Sequence, residues 1–366
     1  MRIAFVILLV IHSFIHLLGF VEAFQPAAVK VLSLPISKLM GIFWLVALFL
    51  LLYAAVLFAF KNYYWLLYGL AGIIISQVVI FNSWQEAKYG TMANGIILLV
   101  LVTGYAAWSF NKQYTLAVRE SFGYSEKYSV PILTEVDIQY LPEPVKKYLH
   151  YTRSVGKPEL DNFRVEFRGK LRKNKQSEWM PFTSEQYNFI GASKRFFFMN
   201  ATRHHLPVAG FHSFRNGNAF MNIRLLSLFK VQYQSGYEMG KAETVTFFND
   251  MCCLAPATLI DKRIKWLETS GNQVKASFTN NHITITAWLH FNDKGELINF
   301  ISNDRYAYDK ESGMRQIPWE TPLKNYREIN GYKLAGHAQA IYKYPEGDLC
   351  YGIFEITDIQ YNCDRL

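Results

Sequence analysis

The stretch IHSFIHLLGF, residues 11–20, sets two histidines four apart in an otherwise apolar segment. That spacing puts His12 and His16 on one face of a helix. An ionisable side chain at membrane depth is costly and marks a functional site by default. Three chemistries use such a pair: metal or haem ligation, proton or ion transfer, and hydrogen bonding between helices. Haem normally takes one axial histidine from each of two helices, and no other apolar span here contains one. A metal would lack a third ligand other than Glu22. At about 1.5 Å of rise per residue, His16 and Gln77 reach a similar depth in two parallel spans. The expected intramembrane polar cluster is therefore His12, His16, Gln77 and Glu22.

Further candidates lie in the charged remainder of the chain. In NAFMNIRLLSLFKV, residues 218–231, Arg224 shares a face with Phe220, Leu226 and Leu228. A guanidinium among apolar neighbours suits a lipid headgroup or carboxylate, or an ion pair with Asp250 or Glu243. The run RLLSLF reads either as core or as an exposed apolar edge. Trp179, Trp266, Trp288 and Trp319 suit the wall or rim of an apolar cup, or an ordinary core. Asp250, His212 and Arg203 are the groups a hydrolase or transferase on lipid-like substrates would recruit. His204 and His205 close the strand KRFFFMNATRHH, where adjacent residues face opposite sides, so they are not expected to share a metal. Cys252 lies in the apolar run CCLAPA, which raises a thiol pKa and favours packing over nucleophilic attack.

The expected ligand-binding set is Arg224, Phe220, Trp179, Trp266, Trp319 and Arg203, with no catalytic residue, no metal and no cofactor. The sequence holds no GxSxG elbow, P-loop, GxGxxG, HExxH or kinase-like set. Its four cysteines, Cys252, Cys253, Cys350 and Cys363, form no CxxC pair and read as free thiols.

The elements that must position these residues divide the chain sharply. Up to residue 115 the charged residues are Arg2, Lys30, Lys38, Lys61, Lys88, Lys112, Glu22 and Glu86, and the others follow later. Four apolar spans, roughly 3–22, 39–60, 63–81 and 92–110, are each near the length that crosses a bilayer. Aromatic residues mark their ends at 62–65, Trp84, Tyr89 and Trp108. The first span resembles a signal peptide with VEA as cleavage site, but its charged start is one arginine and three spans follow, so it reads as retained. An inside N-terminus puts Arg2, Lys61, Lys112 and Arg119 inside against Lys30, Lys38 and Lys88 outside. That count points to a cytoplasmic C-terminal domain, and the expected location is the inner, cytoplasmic membrane. The expected division is a four-helix transmembrane domain over 1–115, a linker over 116–134 and a soluble domain over 135–366. The formal net charge of +9 is spread across both parts with interleaved signs, which speaks against a nucleic-acid partner.

From Pro131 onward the chain opens with a short helix started by Pro144 and stopped at Gly156-Lys157-Pro158. Alternating strands follow at 163–172, 184–190, 194–203, 218–224, 273–279, 282–291, 296–304, 332–344 and 349–361. Turns are expected at 270–272, 292–295, 330–331 and 345–348. One more helix is expected over 241–260, ended or kinked by Pro256. Nine or ten antiparallel strands with one apolar helix predict an α+β domain. Its form is a strongly curved, half-barrel-like sheet with the helix in its concave face. One helix cannot cover ten strands, so an apolar cavity should remain.

The segments LPEPVKKYLHY, WMPFTSEQYNF, LPVAGFHSFRNGNAFMNIRLLSLFKV, FNDMCCLAPATLID and YGIFEITDIQY resemble an uncharacterised bacterial domain-of-unknown-function family with N-terminal membrane spans. By architecture the soluble part is also similar to the lipoprotein-carrier fold, an open half-barrel that shelters acyl chains. The resemblance implies no established activity. Together these readings imply a membrane-anchored binding module for a membrane lipid or other apolar small molecule.

Overall fold

A computed structural model describes residues 2–25, 36–122, 130–309 and 313–366. Lys30 of the charge count and residues 123–129 of the expected linker lie outside the described residues. Two compact units divide at Phe110 and Asn111.

The first unit contains helices α1 (Arg2–Phe24), α2 (Lys38–Ala59), α3 (Trp65–Asn82), the short α4 (Trp84–Ala87) and the greater part of α5 (Gly90–Phe122). Helices α1, α2, α3 and α5 are each long and apolar enough to cross a membrane. Their sidedness is inverted relative to a water-soluble bundle. On α1, His12, Ser13 and His16 are buried, while Ile3, Ile7, Ile11, Phe14, Ile15 and Leu18 face outward. A lipid-facing helix follows this rule, because apolar side chains lose nothing in lipid and polar groups need partners inside the bundle.

In the second unit, α6 (Glu135–Ile138) and α7 (Glu143–Tyr151) precede the strands. The first six are β1 (Asn162–Leu171), β2 (Met180–Phe189), β3 (Lys194–Arg203), β4 (Leu206–Arg215), β5 (Asn218–Leu225) and β6 (Phe229–Ser235). Helix α8 (Tyr237–Leu254) and a 3-10 turn over Pro256–Ile260 follow. Next come β7 (Ile264–Ser270), β8 (Gln273–Asn280), β9 (Ile283–Phe291), β10 (Leu297–Ser302), β11 (Tyr306–Asp309) and β12 (Gly313–Gln316). The chain finishes with β13 (Trp319–Ile329), β14 (Tyr332–Tyr342) and β15 (Leu349–Tyr361).

Among the described residues thirteen strands form one antiparallel sheet in the order β6-β5-β4-β3-β2-β1-β15-β14-β13-β10-β9-β8-β7, with β11–β12 as a separate hairpin. Two meanders thus meet where β1 pairs with β15, and the sheet stays open at β6 and β7. Helix α8 carries the chain from one open edge to the other. It touches β5 and β6 on one arm and β9, β10 and β14 on the other. This is the curved, open half-barrel with an internal helix that the sequence predicts.

The sequence missed β4, β6, β7, β11, β12 and β13. The β4 segment is apolar on both faces, and Pro322 interrupts the alternation of β13. Helix α8 starts four residues before the expected 241 because Gly236, at φ 99°, turns the chain in ahead of Tyr237. It ends at Leu254, just before Pro256. Helix α8 comes close to the β4–β5 turn at Gly240, where a β-carbon would meet the Gly217 carbonyl at 2.2 Å. The expected turn at 330–331 forms a two-residue hairpin with Asn330 at φ 46° and Gly331 at φ 81°, the Asn-Gly geometry that matches strand twist.

Both faces of β3 are buried for different reasons. Phe197 and Met199 look into the cup. Phe196 and Phe198 lie on the opposite face. There, residues 111–122 cover the sheet. The Tyr114 ring is 5.4 Å from Phe198 and 5.8 Å from Phe211, and Phe122 is 5.1 Å from Phe189. The Tyr114 hydroxyl donates to Glu185 Oε1 at 2.9 Å. Residues 116–122, expected to begin a linker, are therefore helical and packed.

Candidate functional site

One side of α8 is filled. Phe248 stacks on Phe278 at 5.2 Å and meets Phe300 at 5.7 Å, while Phe247 meets Phe214 at 5.8 Å. The other side, carrying Met239, Ala242, Glu243, Thr246, Asn249, Asp250 and Cys253 at helical spacing, faces a cavity of about 1710 Å³. Ordinary ligand pockets hold about 300–1,000 Å³, so the space exceeds a drug-sized molecule. Its walls are largely apolar, among them Phe167, Phe197, Met199, Ile223, Leu323 and Phe354. The floor on β14 is lined by Ala335, Ala338 and Ala340, whose short side chains leave the volume empty.

A charged pole sits within these walls. Arg195, on β3, donates through Nε to Asp250 Oδ2 at 2.7 Å and through Nη1 to Glu243 Oε2 at 3.0 Å. Its Nη2 donates to Gln186 Oε1 at 2.8 Å. Asp250 Oδ2 also accepts from Gln186 Nε2 at 2.8 Å and Asn188 Nδ2 at 3.1 Å. Gln186 and Asn188 share one face of β2, and Asn188 stands opposite Arg195 in the register. Glu243 and Asp250 are two helical turns apart on α8. Burial alone would raise the Glu243 carboxyl, but Arg195, His212 and Arg305 together outweigh it and hold the group at about 2. His212 and Arg305 reach toward Glu243 Oε1 at 3.8 and 3.9 Å, both beyond hydrogen-bond distance.

The structure separates the expected ligand-binding set. Trp179, Trp319 and Arg203 line the cavity, with Arg203 exposed at the mouth and Trp179 half-buried there under Arg172, 4.5 Å from its ring. Phe220 and Arg224 do not line it. On β5 the cavity side belongs to Met221, Ile223 and Leu225, so Phe220 and Arg224 fall on the other face by strand alternation. Phe220 packs outside on Phe211 and Tyr233, and Arg224 Nε donates to Asn222 Oδ1 at 3.4 Å. Trp266 packs against the core from β7 and does not line the cavity. The acids offered as partners of Arg224 belong instead to Arg195, which the sequence reading did not single out. Its one signal was a basic residue entering the apolar run RFFFM.

Of the residues a hydrolase would recruit, Asp250 is occupied by Arg195, Gln186 and Asn188, and Arg203 stands at the rim. Burial pushes the Cys252 and Cys253 thiols well above their ordinary value. His204 and His205 form the β3–β4 turn itself, at φ 48° and 64°, rather than the end of a strand. RLLSLF is the β5–β6 turn, with Leu228 and Phe229 exposed beside the mouth, so the exposed-edge reading holds over core packing. Among the described residues no group of three His, Cys, Asp or Glu side chains is placed to hold a metal.

In the helical unit, His12 Nε2 is 2.9 Å from Asn94 Oδ1, and His16 Nε2 is 2.8 Å from Ser76 Oγ. His16 Nδ1 bonds the His12 carbonyl at 2.7 Å, so both of its ring nitrogens are engaged. Asn94 Nδ2 reaches Ser76 Oγ and Gln77 Oε1, each at 3.0 Å, and Gln77 Nε2 donates to Thr91 Oγ1 at 3.1 Å. The structure joins His12, His16 and Gln77 with Ser76, Asn94 and Thr91. Glu22 is buried further along α1.

Fold and cavity together define an open half-barrel cup, crossed by one helix, in a chain whose described residues also include four helices long and apolar enough to cross a membrane. The chain belongs to DUF6544, a family of unknown function, which residues 131–354 match. No curated protein matches the sequence. Two solved structures are similar at low superposition. A DUF1329 family protein from Desulfovibrio piger ATCC 29098 is 10% identical, with 60% of this chain and 92% of that one covered and a TM-score of 0.34. A LolA superfamily protein from Nitrosomonas europaea is 9% identical, with 60% and 94% covered and a TM-score of 0.29.

Proposed function

We propose that this protein is a membrane-anchored binding module whose cup holds a lipid or another apolar ligand. The observation that carries the reading is the cavity of about 1710 Å³ on the open side of α8, walled by apolar side chains. Removing apolar ligand surface from water there is worth about 25 cal/mol per Å². Exposed Leu228, Phe229 and Val231 beside the mouth suit the passage of an apolar molecule between bilayer and cup. The four apolar helices keep the cup at a bilayer, which we assign to the bacterial inner membrane with the cup on the cytoplasmic side. Full-length protein purified in detergent should carry lipid that solvent extraction and mass spectrometry detect. Protein that arrives empty and binds no fluorescent acyl probe overturns the reading.

A further inference from the structure

Three connections lie side by side at one end of the sheet: the β1–β2 loop (172–179), the β3–β4 turn (204–205) and the β5–β6 turn (226–228). The register brings them together, because Leu171 stands opposite Met180, Arg203 opposite Leu206 and Leu225 opposite Phe229 at that end. Apolar side chains project from this rim, with Leu206 43%, Leu228 38%, Phe229 61% and Val231 58% exposed. Around them stand exposed Lys173, Lys175, Arg203 and Lys230, and the acid of the same three connections is Glu178. The adjoining β14–β15 turn adds Glu346 and Asp348, with Asp348 paired to Lys343 at 2.5 Å. Lys173, Lys175, Arg203, Leu206 and Val231 also border the cavity. Apolar tips among cations suit a surface of anionic phospholipids, since the tips leave water for the acyl boundary and the cations stay with the phosphates.

The chain enters this unit toward the same end. Tyr114 packs on Phe198 and Phe211, midway along β3 and β4, whereas Phe122 packs on Phe189 at the far end of β2. Glu120 reaches Arg215, at the far end of β4, at 3.6 Å. Residues 111–122 therefore run away from the rim, and Asn111, which follows directly on the apolar part of α5, lies toward it. A chain that leaves a bilayer through those apolar residues enters the unit at its rim end.

We infer that this rim docks on the anionic phospholipid surface of a bilayer, with Leu206, Leu228, Phe229 and Val231 at the acyl boundary and the surrounding cations among the phosphates. The mouth of the cup then opens on the leaflet, and an apolar ligand passes between them without crossing water. The docking rests on the membrane anchoring read above and not on what the cup holds, so either can fail alone.

The test uses the full chain with its four native cysteines replaced by Ser, reconstituted in vesicles that contain a spin-labelled quencher lipid. A nitrobenzoxadiazole label is placed at Leu228→Cys on the rim or at Ala192→Cys, in the β2–β3 turn at the far end. Vesicles of phosphatidylglycerol and phosphatidylcholine in equal parts should quench the rim label and spare the far one. Quenching should be severalfold weaker in phosphatidylcholine alone, and weaker again in about 1 M salt, where the screening length is about 3 Å. Each lysine at an anionic surface favours docking about fivefold. Lys175→Gln with Lys230→Gln should therefore lower the docked-to-free ratio about twenty-five-fold. The salt series carries the test if that variant does not fold. A rim label left unquenched in anionic vesicles overturns the docking, as does equal quenching of the two labels. Equal quenching in the two kinds of vesicle overturns the anionic assignment. A rim label that quenches itself and recovers on dilution into more lipid would place a second copy of the chain on the rim and overturn the bilayer as partner. Protein that does not float with the vesicles removes the anchoring and the docking with it.

Discussion

Arg195 Nε stands 2.7 Å from Asp250 Oδ2, tying the third strand of the sheet to the helix that crosses its concave face. The contact is buried at both ends, with Arg195 and Asp250 each 7% exposed. Replacing Arg195 with Met leaves Glu243 and Asp250 buried without their cation. Breaking such a pair costs about 3–5 kcal/mol. Urea unfolding should show a loss of that size, and a triple change to Arg195→Met, Glu243→Leu and Asp250→Leu should recover most of it.

The same network sets an acid limit. Glu243 titrates at about 2 in the folded chain against an ordinary 4.5. A depressed carboxyl contributes stability that is complete above the unfolded value and is lost as pH falls through the folded one. Stability of the wild type should therefore decline between pH about 4.5 and about 2. Glu243→Gln should be less stable at neutral pH and show a shallower decline across that window. Identical acid profiles for the two proteins would remove Glu243 from the account.

The alanine floor gives a way to close the cup without opening the core. Overpacking a filled interior costs about 1–3 kcal/mol, but Ala338 faces empty space. Ala338→Trp should keep the melting temperature within a few degrees and reduce co-purified lipid at least tenfold. Undiminished lipid in that variant would place the ligand elsewhere.

The histidine network should act on the helical unit alone. His16→Ala takes from Ser76 Oγ its contact with His16 Nε2 and leaves its bonds with Asn94 in place. Inter-helix hydrogen bonds in membranes average about 0.6 kcal/mol. A double-mutant cycle of His16→Ala and Ser76→Ala, read by unfolding in detergent, should return a coupling near that value, with lipid binding by the cup unchanged.

Topology is checked at the exposed loop between β1 and β2. In a Lys173→Cys chain with its four native cysteines replaced by Ser, an impermeant maleimide should fail to label intact cells and should label them after lysis. Labelling of intact cells would move the cup to the outer side.

Sequence alone determined what depends on neighbouring residues. The four spans follow from apolar length, nine of the strands from period-two alternation, the 330–331 hairpin from Asn-Gly and the end of α8 from Pro256. It also announced the polar layer of the helices, since His12 and His16 share a face and Gln77 matches them in depth. Only the tertiary structure decided sidedness and partnership. The β1–β15 pair joins segments nearly two hundred residues apart in sequence, and no local pattern encodes it. On β5, alternation separated Phe220 and Arg224 from Met221 and Ile223, but both sets are largely apolar, so the inward set was undetermined. Residues 111–122 cover the outer face of β3, which makes that strand apolar on both sides and hides Arg195 among phenylalanines. Strand order is a long-range choice fixed by pairing across the whole sheet, and it converted an arginine in RFFFM into the buried partner of two acids.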